Sequence, residues 1–278
     1  MGILLLAILC GLGAAVLRGF QLTGSFDSET ALIPAGDTVT IALMVLSAVF
    51  AAVVIATFLL RRGKAAPQPK TLPKAWLVIE LAALAALALS SSFDLANGFT
   101  EQRVSSICLG FLGLAGAASL LMITKRINAL PSAAGFWATV PVFWSCLMMI
   151  MEFWGHAGNP VRNTYVYGMF ATVFCTLALY AAAGFFFGKA NAGRVFLYAL
   201  PGVYFATLTL GGALLAEQLG QPIIQLSTAS LLRYAFIVLH LSAVVIAVQY
   251  GRLTPPKPEP EDEPNPENGE ETEYDKAP

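Results

Sequence analysis

Residues 41–60 read IALMVLSAVFAAVVIATFLL, twenty consecutive positions without a charged side chain. An α-helix rises about 1.5 Å per residue, so about twenty residues cross the roughly 30 Å hydrocarbon core of a bilayer. The stretch lacks the alternation of polar and apolar residues that is typical of a membrane β-strand. It therefore predicts a membrane-spanning helix over residues 38–60 and an all-α integral membrane protein.

Seven further apolar stretches approach or reach the same length. Across the 278 residues, 57% are hydrophobic and 12% are charged, whereas an ordinary soluble domain carries about 25% charge. We predict a polytopic bundle of about eight transmembrane helices in residues 1–250, surrounded by a lipid bilayer. The first stretch is the shortest, and we expect it to be retained because no basic residue precedes it, as one would in a signal peptide. The additional stretches are residues 2–17, 76–96, 104–124, 136–153, 164–188, 195–216 and 229–250.

Basic residues are concentrated in the short loops after the second, fourth and sixth stretches, and these loops contain no acidic residue. Lys and Arg are retained on the cytoplasmic side of a membrane. We therefore predict that these loops and both termini face the cytoplasm, in a plasma membrane. The basic residues in question are Arg61, Arg62, Lys64, Lys70, Lys74, Lys125, Arg126, Lys189 and Arg194.

The composition changes at the carboxyl end of the chain. Residues 251–278 hold nine acidic and three basic residues, whereas residues 1–250 hold eight and thirteen. This Pro- and Glu-rich segment cannot bury enough apolar area to offset its ordering entropy, so we predict a disordered cytoplasmic tail. Its charge argues against nucleic acid as a partner. A solvating terminus and a docking segment for a basic protein partner both remain open.

Glu80 and His240 are ionisable residues inside predicted helices, where each needs a partner or an escape to water. Glu80 lies about one turn inside the third stretch. Its side chain is expected to reach the interface or to pair with Lys74, Lys125 or Lys189. His240 lies near the middle of the eighth stretch, where one hydroxyl or carbonyl of a neighbouring helix would satisfy it. A proton relay is the functional alternative for both.

Polar and aromatic residues are concentrated between the fifth and sixth stretches. The predicted topology brings charged residues near the ends of other helices, Asp94 and Arg233 among them, to the same, outward-facing side. A shared polar pocket for a small ligand is one interpretation, since binding groups often lie on loops held by a rigid scaffold. Interhelical ion pairing and anchoring at the interface is the other. The candidate ligand-binding residues are Asp94, Glu152, His156, Asn159, Arg162, Asn163 and Arg233.

Motifs for metal, cofactor or catalysis are not found in the sequence. Of its two histidines, one lies within the eighth stretch, so three-ligand zinc binding is not expected. The glycine loops and nucleophile elbows of common enzymes are also missing. We therefore expect no cofactor and no catalysis, and a multipass protein that binds a small ligand. A transporter or transport-complex subunit and a membrane assembly or signalling scaffold are the alternatives, and the sequence does not give the oligomeric state.

Overall fold

The computed structural model describes residues 2–27, 32–61, 71–127, 133–158, 163–189, 191–220 and 226–251, with the backbone alone at Arg61 and Asn163. Eight helices in these ranges are long and apolar enough to cross a membrane. The same ranges contain no β-strand. The predicted class, an all-α polytopic bundle, is confirmed. Apart from Gly251, the predicted tail lies outside the described residues.

The helices follow the predicted stretches closely, with small changes at their ends. A π-helical turn, Gln21–Ser25, extends the first helix, and a short 3-10 helix, Asn163–Tyr165, precedes the sixth. The eight helices are α1 Gly2–Phe20, α2 Thr38–Arg61, α3 Lys74–Thr100, α4 Val104–Lys125, α5 Ala134–Ala157, α6 Val166–Phe186, α7 Ala192–Gln218 and α8 Thr228–Gln249.

Six of the helices form a closed ring. Each of α3 to α7 packs against the next helix along the chain, and α8 closes the ring by packing against α3. The remaining helices, α1 and α2, contact each other and pack against α7 from outside the ring. Short connections between successive helices of the ring make them antiparallel neighbours.

Charged residues distinguish the two ends of this ring. We call the end that carries Lys74, Lys125, Lys189 and Arg194 the basic end. The opposite end, which carries Asp37, Glu101, Glu152 and Glu217, is the acidic end.

Two hydrogen bonds fix the register of α3 against α8. The indole Nε1 of Trp76 donates to the carbonyl oxygen of Ala243 at 2.9 Å, near the basic end. The hydroxyl of Ser90 donates to the carbonyl oxygen of Ala229 at 2.9 Å, nearer the acidic end. The two helices are therefore antiparallel, and position 80 of α3 lies opposite position 240 of α8.

The first helix is longer than predicted. The sequence predicted a helix over residues 2–17, but helical structure continues through Ser25. Glycines allow this extension to lie directly against α7, as small residues do between membrane helices. A Cβ atom at Gly19 would lie 2.5 Å from Leu215 Cδ2, and one at Gly212 would lie 2.6 Å from Arg18 Cγ. Arg18 is consequently buried and not in a surface loop.

Candidate ligand-binding site

The carboxylate of Glu152 lies near the end of α5 and joins three helices of the ring. The hydroxyl of Tyr234, on α8, donates to Glu152 Oε1 at 2.7 Å. The hydroxyl of Thr172, on α6, donates to Glu152 Oε2 at 2.9 Å. Gly168 permits this arrangement, because a Cβ atom there would lie 2.3 Å from Tyr234 Oη and 3.1 Å from Glu152 Oε1.

The guanidinium of Arg18 is buried at the same end, with 3% of the residue exposed. It donates to the main-chain oxygen of Thr164 at 2.6 Å and to the side-chain oxygen of Gln21. Its Cζ atom lies 4.9 Å from the ring centre of Tyr167 and 5.6 Å from that of Phe26. These are neutral partners, and within the described ranges Arg18 forms no ion pair. A buried cation held only by dipoles and aromatic rings attracts an anionic group.

A chain of hydrogen bonds connects Arg18 to the start of α2. The amide nitrogen of Gln21 donates to Thr40 Oγ1 at 2.6 Å, and that hydroxyl donates to Asp37 Oδ2 at 2.6 Å. The backbone N–H of Thr40 also donates to Asp37 Oδ2, at 2.7 Å, which caps the helix. Hydrogen bonds from Thr40 lower the pKa of Asp37 below its ordinary value. The ordering of Arg18 thus depends on the start of α2 as well as on the short helix before α6.

A cavity of about 70 Å³ lies between these groups, and we call it the acidic-end cavity. A buried water needs about 10–15 Å³, so the space holds about five waters or a ligand of similar size. His156 forms part of its wall, with Nδ1 2.8 Å from the main-chain oxygen of Glu152 and its ring stacked 4.3 Å from that of Tyr165. The polar and aromatic side chains that line the cavity are Arg18, Glu152, His156, Thr164, Tyr165, Tyr167, Thr209 and Tyr234.

The remaining candidate residues are distributed differently from the single shared pocket that the sequence suggested. Asp94 Oδ1 lies 3.2 Å from Arg233 Nη2, and this ion pair joins α3 to α8 without lining the acidic-end cavity. Asn159 and Arg162 lie outside the described residues, as does the side chain of Asn163.

The two ionisable residues inside the membrane-spanning helices bind each other. His240 Nδ1 lies 3.0 Å from both carboxylate oxygens of Glu80, and the two residues are 4% and 3% exposed. The prediction that a lysine would pair with Glu80 is therefore wrong, as is the prediction that a hydroxyl or carbonyl would satisfy His240. The cause is the α3–α8 register, which places both side chains at the same depth inside the ring.

A second cavity, of about 60 Å³, lies inside the ring towards the basic end; we call it the basic-end cavity. Trp76, Glu80, Pro141 and His240 contribute to its mostly apolar wall. The two cavities share no lining residue.

Two aromatic residues lie between the cavities. Trp144 and Phe236 are fully buried and pack edge to face, with ring centres 5.4 Å apart. The ring of Phe236 in turn stacks on that of His240, at 5.1 Å. Tyr234, which lines the acidic-end cavity, is only two residues from Phe236 along α8. An aromatic barrier therefore separates the two cavities.

No family model, curated protein or solved structure matches this chain. Its chemistry must accordingly be inferred from the side chains that the fold brings together. Among the described residues, no group of three His, Cys, Asp or Glu is placed to hold a metal ion.

Several residues of the acidic-end cavity were not among the sequence candidates. Arg18, Gly168 and Tyr234 line this cavity and lie on α1, α6 and α8, whereas Glu152 lies on α5. The single available signal was Arg18 itself, a charged residue directly after an apolar stretch. Its burial depends on glycines in α1 and α7, a relationship that charge counting along one helix does not reveal.

Proposed function

We propose that this multipass membrane protein binds a small polar ligand in the acidic-end cavity. The supporting observation is that the guanidinium of Arg18 and the carboxylate of Glu152 line one cavity of about 70 Å³. Within the described residues, Arg18 uses two of its five N–H donors in hydrogen bonds to protein oxygens, and each Glu152 carboxylate oxygen accepts one hydrogen bond from a hydroxyl group. Donors and acceptors therefore remain for a ligand that carries both an acidic and a basic group, such as a small amino acid.

A ligand-dependent stability measurement tests this charge complementarity. Glycine and alanine carry both charges, whereas acetate and methylammonium carry one each. We expect the two amino acids to raise the unfolding temperature of the purified protein more than either single-charge analogue does. A ligand that binds only the folded state stabilises it by about 2.7 kcal/mol when the ligand concentration is one hundred times the Kd. The absence of any shift with glycine or alanine would reject a zwitterion of this size.

Gly168→Ala tests the location of the site. The added Cβ atom would meet Tyr234 Oη and Glu152 Oε1 directly, so we expect the ligand-induced shift to disappear. Gly155→Ala is the matched control, since nothing lies within 4 Å of a Cβ atom at that position near the end of α5. A folded Gly168→Ala protein that responds to the ligand as the wild type does would place binding elsewhere.

We further propose that the acidic end faces outward from the plasma membrane and that both termini are cytoplasmic, because the loops at the basic end are rich in Lys and Arg. Lys189→Cys and Glu217→Cys, made in a chain whose native cysteines are replaced by alanine, distinguish the two orientations. A membrane-impermeant thiol reagent added to intact cells should label position 217 and not position 189. The reverse pattern would require the ligand to enter from the cytoplasm.

A transporter or transport subunit is the second candidate, favoured by the two cavities and the aromatic barrier between them. Glu80 and His240 are ionisable residues inside a membrane, and such residues often mark substrate or proton pathways. Liposomes containing the protein should then accumulate the ligand that binds at the acidic end, and Phe236→Ala should change the rate of ligand uptake. Binding without uptake would leave a receptor or sensor role. The scaffold alternative, in which the protein acts through its cytoplasmic loops and its tail, stays a prediction.

A further inference from the structure

A large open groove lies on the outer surface of the ring at the basic end, where α5 and α7 flank α6. Its volume is about 770 Å³, within the range of small-molecule sites. Phe143, Leu177 and Ala181 contribute to its apolar walls. Phe143 and Tyr180, also in the wall, are 65% and 69% exposed, so the groove is open towards the membrane.

The mouth of the groove at the basic end is cationic. Lys189 and Arg194 line it and are exposed, and no Asp or Glu is among the lining residues. Within the described ranges neither cation forms an ion pair. The Asn191 side chain accepts the backbone N–H of Arg194 at 3.0 Å, which begins α7 and fixes Arg194 in its first turn. Among the described residues, therefore, these two positive charges at the entrance to an apolar surface have no acidic partner.

The depth of the groove matches one leaflet of a bilayer. Leu177 and Phe186, the last residue of α6, are nine positions apart, which is about 14 Å along the helix axis. Half of the hydrocarbon core is about 15 Å. The groove thus runs from the interface at the basic end to about the middle of the membrane, the region occupied by a single acyl chain.

We propose that this groove binds an anionic phospholipid from the leaflet at the basic end. The phosphate lies between Lys189 and Arg194, and one acyl chain lies along Phe143 and Leu177. Arginine binds phosphate oxygens through two parallel hydrogen bonds, and lysine adds a point charge. Basic pockets between membrane helices recognise acidic headgroups in this way. A neutral phospholipid fills the same apolar walls but brings no net negative charge to the mouth.

Competitive lipid retention tests the proposal on the full-length protein. The protein is purified in detergent with equal amounts of phosphatidylglycerol and phosphatidylcholine, and the lipids that remain bound are counted by mass spectrometry. We expect at least about threefold more phosphatidylglycerol, and a ratio near one after Lys189→Gln with Arg194→Gln. Lys74→Gln with Lys125→Gln is the matched control, because these exposed lysines lie at the same end outside the groove. The control should retain the preference.

A second variant separates the groove from general electrostatic attraction. Ala181→Phe places a ring on the apolar wall and should reduce retention of both lipids, with the far-UV circular dichroism unchanged. Equal loss of the preference in the groove and control variants would overturn the proposal, as would a wild-type protein without a preference. A dimer that dissociates in the Ala181→Phe variant, with no lipid preference, would assign the groove to a second copy of the chain.

Discussion

Replacing one member of the Glu80–His240 pair should destabilise the protein far more than replacing both. Each residue is less than 5% exposed, and the imidazole nitrogen lies 3.0 Å from both carboxylate oxygens. An ordinary hydrogen bond between membrane helices contributes on average about 0.6 kcal/mol. Leaving a buried ionisable group without its partner costs about 3–5 kcal/mol. The difference between these magnitudes decides whether the pair is a simple helix contact or a coupled ionisable unit.

We expect His240→Leu and Glu80→Met each to lower the free energy of unfolding by about 3 kcal/mol. The double variant should recover most of that loss, because both apolar side chains fit the mostly apolar wall of the basic-end cavity. Unfolding in increasing mole fractions of sodium dodecyl sulfate, followed by circular dichroism, supplies the four free energies of a double-mutant cycle. Ser92→Ala is the control, since that exposed serine bonds only the Ala88 carbonyl of its own helix.

The expected coupling energy is therefore large and of known sign. Two single changes that each cost less than about 1 kcal/mol, with a double change equal to their sum, would refute the reasoning. The pair would then contribute no more than an average interhelical hydrogen bond. Its assignment to a proton or substrate pathway would lose its energetic basis.

Two further predictions concern the glycines of α4 and the cap of α2. Gly113→Ala should lower the free energy of unfolding by about 1–3 kcal/mol, because the new Cβ atom would lie 2.0 Å from Ser91 Oγ. A Cβ atom at Gly116 would lie no nearer than 3.6 Å to any other group, so Gly116→Ala should be neutral or stabilising in the same unfolding assay. Similar costs at the two positions would contradict the close contact of α3 with α4. The pKa of Asp37 is lowered in the folded protein. The ionised carboxylate therefore contributes fully to folding stability above the ordinary pKa of about 3.9, and this contribution disappears as the pH falls through the lower folded-state pKa. Asp37→Asn should consequently lower the unfolding temperature at neutral pH, and the gap to the wild type should close in acid; a gap that persists in acid would argue against the titration.

The fold class was predictable because the bilayer leaves few structural choices. Length, apolar content and the absence of charge in residues 41–60 suffice to predict a spanning helix, and eight such stretches predict the bundle. The end of α1 was not predictable in the same way. An arginine normally ends an apolar span, but Arg18 continues the helix because Gly19 and Gly212 let α1 lie against α7.

The candidate site was predictable only in part. Glu152 and His156 were found because they are close in sequence to one aromatic-rich turn, and they do share a cavity. The partners of Glu152 come from α6 and α8, and hydropathy contains no information about which helices are neighbours. The same limit explains Glu80 and His240, which are 160 positions apart and meet through the α3–α8 register.

The position of the charges relative to the ring provides a final argument for a ligand at the acidic end. Ionisable residues on α3, α5 and α8 find partners on other ring helices, as the cost of charge in hydrocarbon requires. By contrast α2, which packs outside the ring, has an uncharged apolar core. Arg18 departs from this pattern. Its helix, α1, also lies outside the ring, yet the Arg18 guanidinium is buried beside α6 and the acidic-end cavity. Its partners among the described residues are all neutral. An apolar contact between α1 and α7 would not need this residue, whereas a ligand carboxylate would supply the negative charge that the described protein groups around Arg18 do not.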